Sequence, residues 1–169
     1  MIQEVSGDII LSKAEAIAHG VAPADHFNQG LALTLRERWP SMAKDFRHWC
    51  HQSHPKPGKA WIWSGPGPNG DVTRVICLLT QDESSNHGHL PGKAHIEHIN
   101  HSLKDLRKLI EKEEIKSVAL PRLATGVGGL DWSDVKPLIE HHLGDLHIPI
   151  YVYSEYHQGQ AAKESRAKN

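Results

Sequence analysis

The chain has 169 residues, of which 38% are hydrophobic and 23% charged, and its formal net charge is -1. That is enough chain for one domain with a real core, and the near-neutral balance excludes a global basic field for gripping nucleic acid, though not a local basic patch. No basic leader precedes an apolar stretch, no run reaches the ~20 apolar residues of a membrane span, and two cysteines make no disulfide framework. A cytoplasmic monomer without membrane attachment is expected.

Met1–Gly7 reads as a first strand and Ala14–Val21 as a second. Gln29–Trp39 carries Leu31, Leu35 and Trp39 at helical spacing, and Pro40 stops that helix. Ser41 can cap a second helix with Met42, Phe46, Trp49 and Cys50 along one face. Lys59–Gly65 is a short strand, and Gly65–Asp71 is a turn rich in Gly, Pro, Asn and Asp. In the following strand the unbroken apolar run Val75–Leu79 predicts burial on both faces. Asp82–Gly92 is a polar loop. A long helix then runs from about Lys93 to Lys112, with Ile96, Ile99, Leu103, Leu106, Leu109 and Ile110 inward. Ser117–Pro121 is another buried strand. Asp131 or Ser133 starts the next helix and Gly144 ends it, with Pro137 acceptable only in the first turn. Ile148–Tyr153 is the last strand, and the polar stretch from Gln158 is expected to fray. The order defines a layered α/β sheet, largely parallel, whose ligands bind beyond the strand carboxyl ends.

Histidine is over-represented, at 14 residues. His95, His98 and His101 recur every third residue, so the first two could meet one metal on a helix face; the drift by His101 favours a solvated polar face instead, and no metal is expected. His54 sits in turn chemistry and is read as solvated. His141 and His142 suit a helix C-terminus.

Two glycine-containing loops follow strand ends and lead into helices. The first holds Gly30 where a helix begins. The second, "RLATGVGGLD", can turn its N–H groups inward as an anion nest. Neither is a Walker sequence or GxGxxG. One such loop suits one phosphate, and two facing loops suit a diphosphate. Asp8 in "SGDII" could accept from an exocyclic amine while the Ile9 N–H donates to a ring nitrogen, as an adenine edge requires. Tyr153 or Tyr156 could stack on a base.

"GDI" at Gly7–Ile9, "AIAHGV" leading to "QGLALTLRERWP", "ALPRLATGVGGLDW" and "IPIYVY" together resemble a macrodomain, the ADP-ribose-binding fold, over about residues 2–156. The similarity is greatest to the branch with the human terminal ADP-ribose glycohydrolase and the bacterial antitoxin that removes ADP-ribose from DNA. The resemblance implies a three-layer α/β/α fold with a mixed, largely parallel sheet over residues 1–157, and a polar tail over 158–169. It assigns adenine contacts to Asp8, Ile9, Tyr153 and Ser154. It assigns diphosphate and distal ribose contacts to the loop from His26 through Gln29, Gly30, Leu31 and Ala32, and to Leu123, Ala124, Thr125, Gly126, Val127, Gly128 and Gly129. His19 and Thr80 complete the ligand set.

Hydrolysis in that branch depends on a lysine directly after a strand-ending threonine. Here Thr80 is followed by Gln81, which cannot form the covalent adduct. An aspartate of the human enzyme falls at Gly128, and the bacterial antitoxin also has glycine near there. Lys93 aligns with a different lysine and reads as a solvated helix-start residue. The preferred reading is a hydrolase that uses a bound water, with Asp25, His26 and Asn28 as polar candidates and Gln81 able to orient that water but not to act as its base. The alternative is a non-catalytic reader. No cofactor is implied. The partner is ADP-ribose, or a protein or nucleic acid that carries it. A single-strand nucleic-acid platform is disfavoured, because Trp39, Trp49, Trp61 and Trp63 fall in helices or strands rather than on a basic exposed face.

Overall fold

The computed structural model describes residues 1–67, 70–83 and 92–165. Most of the polar loop read over 82–92, part of the turn at 65–71 and the last residues of the tail lie outside them.

Among the described residues, six strands form one sheet: β1 (Ile2–Gly7), β2 (Ala16–Val21), β3 (Ala60–Pro66), β4 (Val72–Leu79), β5 (Val118–Pro121) and β6 (Ile150–Tyr156). Their order is β1-β6-β5-β2-β4-β3. All neighbours are parallel except the edge pair β3–β4, which is antiparallel. The helices are α1 (Gly30–Arg38), α2 (Pro40–Ser53), α3 (Ile96–Lys112) and α4 (Trp132–Leu143). None of them is long and apolar enough to cross a membrane.

The run at Val75–Leu79 divides by the period of two that a strand imposes. Ile76 and Leu78 pack with Ala16, Ala18, Val118, Leu120 and Val152 under α3 and α4. Val75, Cys77 and Leu79 pack with Phe27, Leu35, Met42, Phe46 and Cys50 under α1 and α2. This is the expected three-layer α/β/α arrangement, and both cysteines are buried and free.

On the side of α1 and α2, the β1–β6–β5 end of the sheet receives only Leu31 from those two helices. There Val5, Ile17, Ala119, Tyr151 and Tyr153 are capped by Ile9, in a 3-10 turn over Ile9–Leu11, and by Ala162. The stretch after Gln158 therefore does not fray through Ser165. Gln160 O accepts from Asp8 N at 2.7 Å. Glu164 accepts from the Ser12 hydroxyl at 2.5 Å, the Lys13 N–H at 2.9 Å and the Tyr153 hydroxyl at 2.6 Å. A Cβ on Gly7 would lie 2.8 Å from Ala162 N, so this strap needs glycine beneath it. Buried partners, rather than composition, decide its order.

Several boundaries differ from the sequence reading. Pro40 ends α1 and is also the first residue of α2, where its missing N–H costs nothing. Ser41 is thus inside the helix rather than capping it. α3 starts at Ile96, not Lys93, and Ile96 is exposed because it precedes the turn that reaches the sheet. Asp131 holds the N-cap position of α4 without a side-chain cap bond. Pro137 lies in the second turn of α4 on its exposed side, where its ring meets solvent rather than core.

Candidate functional site

Strands β2, β4 and β5 end at one edge of the sheet, and the two glycine-containing loops meet above them. A cavity of about 400 Å³ opens there. The first loop and the head of α1 contribute Asp25, Asn28, Gln29, Gly30, Leu31 and Ala32. The strand ends contribute His19, Gly20, Gln81 and Pro121, and the second loop contributes Arg122, Leu123, Ala124, Gly126, Val127 and Gly128. A second cavity of about 490 Å³ shares Gly30, Leu31 and Pro121 with it and continues along Gly7, Asp8, Ile9, Ile10, Thr34, Tyr153, Tyr156 and Gln158. The two make one trough, running from Asp8 at one end to Gln81 at the other.

The second loop carries donors without acceptors. Gly129 N donates to Gly126 O and Leu130 N to Ala124 O, each at 3.0 Å. The N–H groups of Thr125, Gly126, Val127 and Gly128 donate to no acceptor among the described residues. Across the trough, α1 begins with Gln29 at its N-cap and no side-chain cap bond. Its first N–H groups and the positive end of its dipole are therefore available as well.

The loops are strained to reach this geometry. Five non-glycine residues have positive φ among the described residues, and three of them are here: Ala24 (57°), Phe27 (55°) and Ala124 (62°). Each costs on the order of 1–3 kcal/mol and needs its surroundings to hold it. Asp25 supplies that support between the first two, accepting from Ala22 N at 3.0 Å and Phe27 N at 2.9 Å. Burial raises its pKa above the ordinary carboxylate value, against the opposing pull of these two bonds. Among the described residues, Asp25 is the one carboxylate lining the central cavity.

The other polar candidates are placed differently. Arg47 Nη2 donates to His26 Nδ1 at 3.2 Å, and since arginine only donates, that nitrogen is the acceptor. His26 lines an adjoining groove with Arg47, His48, His51 and His54 rather than the trough. Asn28 Oδ1 accepts from Arg36 at 2.9 Å. Gln81 is buried, and its Nε2 donates to Gly92 O at 3.1 Å. His19 is fully enclosed, with its Nε2 3.4 Å from the Cys77 sulfur and its ring against Phe27. Burial pulls its pKa down to about 4, so it is neutral at physiological pH. The buried Thr80 hydroxyl finds no hydrogen-bond partner among the described residues and lies against Gly20.

At the far end, Asp8 accepts from Ile10 N at 3.2 Å and from Gly159 N, in the strap, at 2.9 Å. Tyr153 is buried with its hydroxyl on Glu164, and burial raises its pKa. Of the two tyrosines singled out for stacking, Tyr156 is the exposed one. Thr125, Gly129, Thr80 and Ser154 do not line either cavity. Gly20, Arg122, Thr34 and Gln158 do line them and were missed. The first three stood inside the motifs that carry the macrodomain resemblance, whereas nothing in the sequence marked Gln158. Trp39, Trp49, Trp61 and Trp63 form no platform: Trp39 and Trp63 donate to Pro66 O and Asp45, and Trp49 of α2 stacks on Trp61 of β3.

The Macro domain family profile matches residues 25–139. A DNA ADP-ribosyl glycohydrolase of Mycobacterium tuberculosis is 31% identical over 136 residues, covering 80% of this chain and 37% of that protein. A DNA ADP-ribosyl transferase–DNA ADP-ribosyl glycohydrolase fusion protein of Thermosipho africanus is 28% identical, covering 88% of this chain and 40% of its own length. The solved macrodomain of Thermus aquaticus DarG superposes with a TM-score of 0.78 at 25% identity, covering 91% of this chain and 98% of that one. A layered α/β sheet with two glycine loops over its strand ends thus defines the class, and the chain belongs to the Macro domain family. It spans about two fifths of the length of the curated relatives it matches.

Proposed function

We propose that this macrodomain binds ADP-ribose in the trough and releases it from DNA by hydrolysis with a bound water. Gly126 carries the binding half of this reading. A Cβ there would meet nothing within 4 Å, and its φ is ordinary, so the fold itself does not require glycine at this position. A ligand lying against four undirected N–H groups does require it, and the α1 N-terminus opposite offers the second half of a diphosphate cradle. Asp8 supplies an acceptor for an exocyclic amine at the other end. The names of the relatives, as DNA ADP-ribosyl glycohydrolases, support the substrate.

For the chemistry, the water oxygen bonds to the anomeric carbon of the distal ribose as the bond to DNA breaks. The leaving group takes the electron pair, and the water proton passes to a base. The transition state is oxocarbenium-like and gains from a nearby carboxylate. Asp25 can fill that role with the lone pairs its two backbone bonds leave open. Gln81 supports the second reading, a reader that releases its ligand unchanged, because a glutamine cannot serve as nucleophile.

Titration calorimetry with ADP-ribose and with adenosine monophosphate tests binding. ADP-ribose should bind the wild type at least tenfold more tightly than the monophosphate, and Gly126→Glu should abolish binding while leaving the fold intact. Retained binding in that variant overturns the cradle. Turnover of ADP-ribosylated DNA separates the two readings, since a reader binds it and releases no ADP-ribose.

A further inference from the structure

The described residues contain a single group of three potential metal-ligating side chains: Asp82, His95 and His98. It lies outside both cavities of the trough. Asp82 leaves the end of β4 one residue past Gln81. Its N–H donates to Lys93 O at 2.8 Å, its carbonyl accepts from Gly92 N at 2.9 Å, and Gln81 and Ala94 form an antiparallel bridge. The backbone thus fixes Asp82 against the segment that enters α3. His95 is the N-cap residue of that helix, and His98 stands three residues on, on the same side.

His95 Nε2 lies 2.7 Å from one carboxylate oxygen of Asp82, and His98 Nε2 lies 3.3 Å from the other. The imidazoles meet edge to face, with centroids 5.1 Å apart. One ligand atom from each of the three residues falls within 4.8 Å of the others. A tetrahedral zinc site with bonds of ~2.0 Å needs its ligand atoms ~3.3 Å apart, which small side-chain rotations here provide. Two imidazoles and one carboxylate form a donor set of borderline softness, suited to zinc rather than to calcium or magnesium.

We propose that Asp82, His95 and His98 bind one divalent transition-metal ion of the zinc class, with a fourth position open to water. The ion clips the end of β4 to the head of α3. That junction also supports the second glycine loop, because Ala94 N donates to Gly128 O at 3.1 Å. The site is independent of the ADP-ribose reading. It escapes helical spacing alone because its third ligand comes from a strand end.

The test is zinc titration of the whole chain against a competing chromogenic chelator, with the visible spectrum of added cobalt(II) as reporter. The wild type should bind one equivalent, and zinc should raise its melting temperature. Asp82→Asn and His98→Ala should weaken binding at least tenfold while melting with the wild type in the absence of metal. His147→Ala, at an exposed histidine elsewhere, should bind as the wild type does. A wild type that takes no equivalent from the chelator overturns the proposal, as do Asp82 and His98 variants that keep wild-type affinity.

Discussion

Gly126 and Gly128 stand two residues apart and are glycine for different reasons. A Cβ on Gly128 would fall 2.6 Å from Ala124 O and 2.9 Å from the Ala94 Cβ, whereas one on Gly126 would enter open space. Gly128→Ala should therefore destabilise the fold by about 1–3 kcal/mol through overpacking, and Gly126→Ala should stay within about 0.5 kcal/mol of the wild type. Urea unfolding of both variants decides it, and equal losses would contradict this geometry. His19 makes a second case. Burial lowers its pKa from 6.5 to about 4, so below 6.5 the unfolded chain takes up a proton that the folded chain refuses. The contribution is whole above 6.5 and is lost as pH falls toward 4, by up to about 3 kcal/mol. His19→Gln should show a shallower fall in unfolding free energy across that window than the wild type. The sequence placed Gly126, Gly128 and His19 in the ligand set by resemblance. It carried no sign that packing demands one glycine and leaves its neighbour in open space, since that depends on where Ala124 O and the distant Ala94 fall.

Among the elements, apolar runs, apolar spacing and breaker residues marked the six strands and the four α-helices but not the 3-10 turn at Ile9–Leu11, because burial of one face is a local property of the chain. Starts and ends were less readable. Pro40 looked like a stop and is also a start, and α4 tolerates Pro137 in its second turn. The strap over 158–165 was misread because its polar composition says nothing about partners supplied by β1 and β6. Glu164 joins Ser12, Lys13 and Tyr153 through one carboxylate. Glu164→Ala should cost about 1–3 kcal/mol, the value of hydrogen bonds to a charged group, seen as a lower urea midpoint. A midpoint unchanged from the wild type would mean that Ala162 packing and the bonds to Asp8 and Gln3 hold the strap without Glu164.

The protein as a unit buries Cys77 completely and Cys50 almost completely in the cluster beneath α1 and α2. Burial raises the pKa of both thiols, which keeps them protonated and unreactive. A thiol reagent should label Cys77 only as fast as the native state opens, and denaturant should make it as reactive as Cys50, which lines the groove beside His26. Rapid labelling of Cys77 in the native state would show that this layer opens separately from the rest of the sheet. The overall architecture was readable from the order of strands and helices. The trough was readable in part, through its glycines and Asp8. His26 could not be sorted from Asp25 in sequence, because they are neighbours whose side chains enter different grooves.

The strap has a topological consequence. Gln3 and Ser165 are joined by two hydrogen bonds, Gln3 Nε2 to Ser165 O at 3.0 Å and Ser165 N to Gln3 Oε1 at 3.3 Å. The segments around Gln3 and Ser165 thus lie side by side on the β1 side of the sheet. A short linker between these two positions closes the chain into a ring, and the same proximity allows the whole fold to be spliced into a surface loop of another protein without stretching its host.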